Sequence, residues 1–164
     1  MAENMTSTTW TFISDREVKI ERVYDAPREL VFRAYTDPGL IVKWWGPSHL
    51  TTTVEQMDVR PGGTWRYVQR DPDGNVYGFH GEYLEVDPPS RLVSTFEFEG
   101  APGNTIVDRA TFEDLNGKTR LIVVSSTDNP EALKGMLDSG MQEGANETYD
   151  RLGALLGDLV KAGA

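Results

Sequence analysis

The stretch NPEALKGMLDSGMQEGANETYDRLGALLGDLVK, residues 129–161, decides the fold. Leu133, Leu137, Met141, Gly144, Thr148, Leu152, Leu155 and Leu159 recur every three or four positions on one stripe, while Gln142, Glu143, Asn146, Glu147, Asp150 and Arg151 fall away from it. That period is helical, and an apolar stripe has to be covered by another element. Asn129 can cap the start, Pro130 sits where a missing N–H costs nothing, and Glu131 suits the positive end of the helix dipole. The spacing therefore predicts one long amphipathic helix from 131 to about 161. Gly140 and Gly144 each cost about 1 kcal/mol relative to alanine inside a helix, so they point either to close approach of the covering element or to space left beside it. Flanking Met136 and Met141 suit an adaptable pocket wall or simple gap filling.

Upstream the period changes to two. Val18, Ile20 and Tyr24 alternate with polar residues and predict a strand over 16–24, with Arg22 on its apolar face. Asp25-Ala26-Pro27 reads as a helix start, with Asp25 or its neighbour capping and Pro27 in the first turn; Leu30, Val31, Ala34 and Tyr35 follow at helical spacing. Asp37-Pro38-Gly39 ends that helix, residues 40–43 form a second short turn, and Trp44-Trp45-Gly46-Pro47 is a loop. Strand-like runs follow at 51–58, 64–70, 76–86, 92–98, 105–113 and 118–126, separated by segments such as Asp71-Pro72-Asp73-Gly74 and Asn116-Gly117 that favour antiparallel hairpins.

These elements predict an α+β helix-grip fold: six or seven antiparallel strands curved around the terminal helix, with two short helices after the first strand. The core domain spans 16–161. Residues 1–15 form an extension whose first eight residues read as a frayed end and in which Trp10 and Phe12 can add an edge strand. Gly62, Gly63, Gly78 and Gly81 stand where strands would bend. A bent sheet and a glycine-notched helix rarely meet everywhere, so a cavity is expected between them.

Composition narrows the function. The 164 residues, 38% hydrophobic and 26% charged, suit one soluble globular domain, and no apolar run approaches the roughly 20 residues of a membrane span. The N-terminus lacks the basic and apolar regions of a secretory signal, which favours a cytoplasmic protein. No cysteine is present, which removes disulfides, thiolate nucleophiles and cysteine-ligated metal. His49 and His80 are the two histidines, too few for a histidine-rich metal site. A net charge of -10 without a basic stripe argues against nucleic acid and anionic membranes. No nucleophile elbow, phosphate loop or dinucleotide fingerprint occurs, so no cofactor is expected.

Candidate site residues are those the cavity would collect. Of the tandem indoles, one of Trp44 and Trp45 is expected to touch ligand and the other to fix the loop. Trp65, Tyr67, Phe96 and Phe98 supply aromatic wall, and Met136, Met141, Gly144 and Thr148 supply the helical side. On the 76–86 strand, His80, Glu82, Leu84 and Val86 share one face and Phe79, Gly81, Tyr83 and Glu85 the other; a bulge would exchange them, so His80 and Tyr83 both stay candidates. With His80 inside, Glu82 or Glu85 could tune it as an acid or base; a rim histidine with solvated glutamates is the simpler reading. Arg22 and Arg66 could meet a ligand carboxylate, although structural ion pairs explain them more simply.

The chain also resembles a known family, the bacterial homologues of the activator of heat-shock protein 90 ATPase, within the START-like, birch-pollen-allergen-like (SRPBCC) superfamily. The likeness runs from about 17 to 156. It rests on RVYDAP at 22–27, YTDP at 35–38, WWGP at 44–47, DVRPGG at 58–63, GEYLEV at 81–86 with Pro89 and Leu92, GMQEG at 140–144 and DRL at 150–152. At Ala145 the chain departs from the pattern, in which many relatives carry a tryptophan after the helix glycine; a smaller side chain there enlarges the pocket or moves its mouth. The resemblance implies a helix-grip fold with a hydrophobic cavity and members that are ligand carriers, stress-related proteins or chaperone regulators; relatives in the wider superfamily include cyclases and hydrolases. The expectation is a non-enzymatic binder of a small hydrophobic or aromatic ligand, lipid or polyketide-like. The alternatives are a domain regulating a chaperone ATPase, and a cyclase or hydrolase using cavity acids and His80. Sheet edges could also pair into a homodimer.

Overall fold

The computed structural model describes residues 7–163. In chain order the elements are β1 (Thr9–Phe12), β2 (Glu17–Tyr24), α1 (Arg28–Thr36), α2 (Pro38–Ile41), β3 (Thr51–Met57), β4 (Thr64–Arg70), β5 (Val76–Asp87), β6 (Arg91–Phe98), β7 (Ile106–Leu115), β8 (Lys118–Thr127), α3 (Pro130–Asp138) and α4 (Met141–Lys161). The strands form one antiparallel sheet in the order β1-β2-β8-β7-β6-β5-β4-β3. The α1–α2 connection carries the chain from one half of the sheet to its far edge, and α4 contributes Leu152 and Leu156 to the core. This is an α+β helix-grip architecture.

Eight strands replace the six or seven expected. The added strand is β1, paired with β2 from Thr9↔Glu21 to Phe12↔Val18. Its four residues carry little buried surface, and Phe12 is 52% exposed, so periodicity alone announces it poorly. Trp10 Nε1 donates to Asn146 Oδ1 at 2.7 Å and ties this edge to α4. Of the expected frayed end, residues 1–6 lie outside the described residues. Pro27 is the N-cap of α1 rather than its first turn: its carbonyl accepts from Leu30 and Val31, and no side chain caps.

The expected single C-terminal helix is two. Gly140, at φ +93°, stands between α3 and α4 in a left-handed conformation that L side chains rarely adopt, and the backbone turns there. The apolar spacing runs across the break, which is why periodicity reads through it. Asn129 does cap the first piece, accepting from Glu131 N at 3.1 Å with Pro130 behind it.

Curvature comes from two register shifts, between Val54 and Gln56 in β3 and between Tyr83 and Glu85 in β5. The second settles the orientation of β5. Before it, Phe79, Gly81 and Tyr83 face inward; at Leu84, 46% exposed, the phase slips, and Val86 beyond it packs on the core. Gly81 sits where β5 passes closest to its neighbours: a Cβ there would lie 1.9 Å from the Thr95 carbonyl oxygen and 2.6 Å from Trp65 Nε1. Gly81→Ala is therefore expected to lower stability by about 1–3 kcal/mol, read as a lower urea midpoint at unchanged slope.

Candidate functional site

Between the concave sheet face and the α3–α4 layer lies a cavity of about 430 Å³. Strands β4 to β6 provide Trp65, Tyr67, Phe79, Tyr83, Phe96 and Phe98, because alternation sends these residues to the same face. The loop after α2 adds Trp44 and Trp45, and the helical side adds Met136, Met141, Gly144, Ala145 and Thr148. Ser139, at the α3–α4 corner, is the one solvent-exposed lining residue among the described residues, so the cavity meets solvent there.

The two indoles have different positions. Trp44 is 2% exposed, its Nε1 donates to the Ala34 carbonyl at 3.0 Å, and its ring lies 4.8 Å from that of Tyr35. Trp45 is half-buried with its ring 4.9 Å from Tyr67 and 5.2 Å from Phe79, both edge to face. The loop is clamped to α4: Arg151 donates to the Gly46 and Lys43 carbonyls, and Ser48 Oγ donates to Glu147 at 2.6 Å. On its sheet side, buried Gln69 donates to Thr52 Oγ1 at 3.3 Å.

Gly144 explains its own presence in the helix. A Cβ built there meets nothing within 4 Å, so the residue leaves space instead of permitting a close approach. Ala145 stands beside it on the cavity wall, and Thr148 satisfies its hydroxyl on the Gly144 carbonyl at 2.9 Å. The helical wall is therefore thin and apolar.

One end of the cavity is polar. Ser94, Asp108 and Ser125 stand opposite one another across β6, β7 and β8, and all three line the cavity. Ser125 Oγ donates to Asp108 Oδ1 at 2.5 Å. Burial pushes the Asp108 carboxyl above the usual carboxylate range, and the Ser125 hydrogen bond offsets only part of that. Tyr35 from α1 and Tyr149 from α4 close over this row. Burial drives both phenols upward, and the nearby Asp108 charge adds to it. Tyr83, at the aromatic end, is pushed up to about 12 by burial. Asp108 and the two tyrosines are absent from the sequence-derived candidates, although Asp108 shares its alternation phase with Ile106, Ala110 and Phe112.

Four candidates lie elsewhere. Arg22 shares the inner face of β2 but turns to the side of α4, pairing with Asp150 and lying 5.3 Å from the Tyr24 ring centre, outside the cavity lining. Arg66, His80 and Glu82 project from the opposite face of the sheet, since their strand neighbours Trp65, Tyr67, Gly81 and Tyr83 take the inner one. Arg66 Nη2 meets Glu99 at 2.7 Å and also pairs with Glu55, His80 Nδ1 contacts Glu99 at 2.9 Å, and Glu82 is exposed. An acid or base role for His80 in the cavity is thereby overturned. Hydrogen bonds from Arg66 and then His80 hold Glu99 down at about 2, below its ordinary 4.5. Because the folded state favours the ionised form, Glu99 contributes stability in full above about pH 4.5, lost as pH falls toward 2. Glu99→Gln is expected to flatten the acid limb of a stability-against-pH curve over that window.

Among the described residues, no three His, Asp or Glu side chains gather as a metal site, and no helix is long and apolar enough to cross a membrane.

Comparisons place this architecture among known proteins. A crystal structure of a Mycobacterium smegmatis protein superposes with a TM-score of 0.82 at 30% identity, covering 92% of this chain and 96% of the other. A solution structure from Arthrobacter aurescens gives 0.82 at 25% identity, covering 90% and 93%, and a crystal structure from Nitrosomonas europaea gives 0.79 at 27%, covering 90% and 98%. Among curated proteins nothing matches. The family model described as Activator of Hsp90 ATPase homolog 1-like protein matches residues 25–157, from the end of β2 through most of α4. The chain belongs to that family.

Proposed function

We propose that this protein binds one small apolar molecule, aromatic or lipid-like, in the cavity between the sheet and α4. The observation that carries the reading is the cavity itself: about 430 Å³, walled mainly by aromatic and aliphatic side chains, with Asp108 its one charged lining group among the described residues. Sites for small ligands have this size and character. The glycine at 144 supports it, since a helix whose role was only to cover the sheet would gain from a larger residue there.

A ligand burying about 300 Å² of apolar surface gains roughly 7 kcal/mol at 25 cal/mol per Å² before ordering costs are subtracted. Micromolar or weaker affinity follows, which suits reversible carriage or sensing. The test uses 2-ethylnaphthalene, a neutral hydrocarbon of suitable size, with fluorescence of Trp44, Trp45 and Trp65 as the signal. A saturable change at 1:1 stoichiometry is expected. Absence of saturable binding across a panel of neutral lipophilic probes, with no copurified ligand in the native mass spectrum, would overturn the proposal.

A further inference from the structure

We propose that Asp108 is the polar anchor of the cavity and that it selects lipophilic amines over lipophilic acids of the same shape. This deepens the proposed function and rests on it.

Asp108 is the one Asp, Glu, Lys, Arg or His side chain among the described residues that lines the cavity. A ligand carboxylate would therefore meet like charge with no cation to receive it. An ammonium or amine group meets a carboxyl already held in position: Oδ1 takes the Ser125 hydroxyl, and Oδ2 has no hydrogen-bond partner among the described residues. An N–H aimed at Oδ2 completes that carboxyl, and charge-assisted bonds of this kind are the stronger sort. Ser94, directly across from Asp108 on β6, offers a further acceptor, as do the Tyr35 and Tyr149 oxygens above the row.

The environment supports the same choice. Burial raises the Asp108 carboxyl above the usual carboxylate range, and a paired ammonium would offset that cost where a second carboxylate would add to it. Much of the remaining wall is aromatic, with Trp45 edge to face against both Tyr67 and Phe79, and aromatic faces tolerate an organic cation better than an anion. The protein's net charge of -10 adds a long-range preference of the same sign.

The experiment compares three probes on one naphthalene skeleton: 2-(2-naphthyl)ethylamine, 2-naphthylacetic acid and 2-ethylnaphthalene, titrated into the intact protein at pH 7.5. The amine is expected to bind at least about tenfold more tightly than the acid. In Asp108→Asn that ratio should fall to about twofold or less. A second readout needs no variant: the Asp108 carboxyl carbon resonance of the parent protein should move further on adding the amine than on adding the hydrocarbon. Hydrocarbon binding with no preference for amine over acid, a preference that survives Asp108→Asn, or an unmoved carboxyl resonance at saturating amine would each overturn the anchor and leave the cavity reading standing. Failure of all three probes to bind would remove both.

Discussion

Gly144→Phe is expected to abolish uptake of a neutral aromatic probe while the protein remains folded. The position lines the cavity, and a Cβ there meets nothing within 4 Å, so the added ring enters space a ligand would use. Affinity for 2-ethylnaphthalene should fall by about 100-fold or more, close to 3 kcal/mol. Stability should fall by at most about 3 kcal/mol, because replacing a helical glycine by phenylalanine returns a few tenths of a kcal/mol against the crowding of a larger residue, about 1–3 kcal/mol. Calorimetric titration and urea denaturation of the same preparation separate the two effects. Gly144→Ala provides the control, with stability higher by up to about 1 kcal/mol and binding nearly retained. A phenylalanine variant that binds the probe as the parent does would mean that the ligand sits elsewhere.

The second large effect divides the tandem tryptophans. Trp44→Ala should cost about 3–5 kcal/mol, since it empties a buried site and leaves the Ala34 carbonyl without its donor. Trp45→Ala should cost less stability and more binding: its ring is half-buried against Tyr67 and Phe79, and its loss widens the cavity and removes a wall. Denaturation midpoints of the two variants, measured together, decide this. Equal losses would contradict the different roles the geometry gives them.

How much of this was legible in the sequence depends on whether the signal was local. Hairpins were readable because turn chemistry acts within a few residues: Asp71 accepts from Asp73 N and Asn75 N, and Asn116 and Gly117 both adopt positive φ, as a two-residue hairpin turn requires. The cap at Asn129 follows the same logic. The break at Gly140 was hidden because an amphipathic spacing can continue across a corner when both helices cover the same sheet. The orientation of β5 depended on one slipped residue, Leu84, which no alternation pattern locates.

The site divides in the same way. Aromatic wall residues such as Trp65, Tyr67 and Phe96 were recoverable from composition and phase, and they do line the cavity. His80 was attractive as a scarce titratable residue, yet its strand partner Arg66 and the facing Glu99 take it to the outer surface. The phase of Asp108 is legible in the sequence: a carboxyl in step with Ile106, Ala110 and Phe112 is an acid on an apolar face, and that inconsistency between pattern and chemistry marks a functional candidate. Ser125 in step with Leu121 and Val123 carries a weaker form of the same mark.

The measurement that bears most directly on the cavity is a crystal structure of the protein grown with saturating 2-ethylnaphthalene. The account predicts a naphthalene ring between the Trp45 and Phe96 side of the sheet and the notch at Gly144. Density for the probe at another place, or side chains closed into the space with no probe in it, would contradict it.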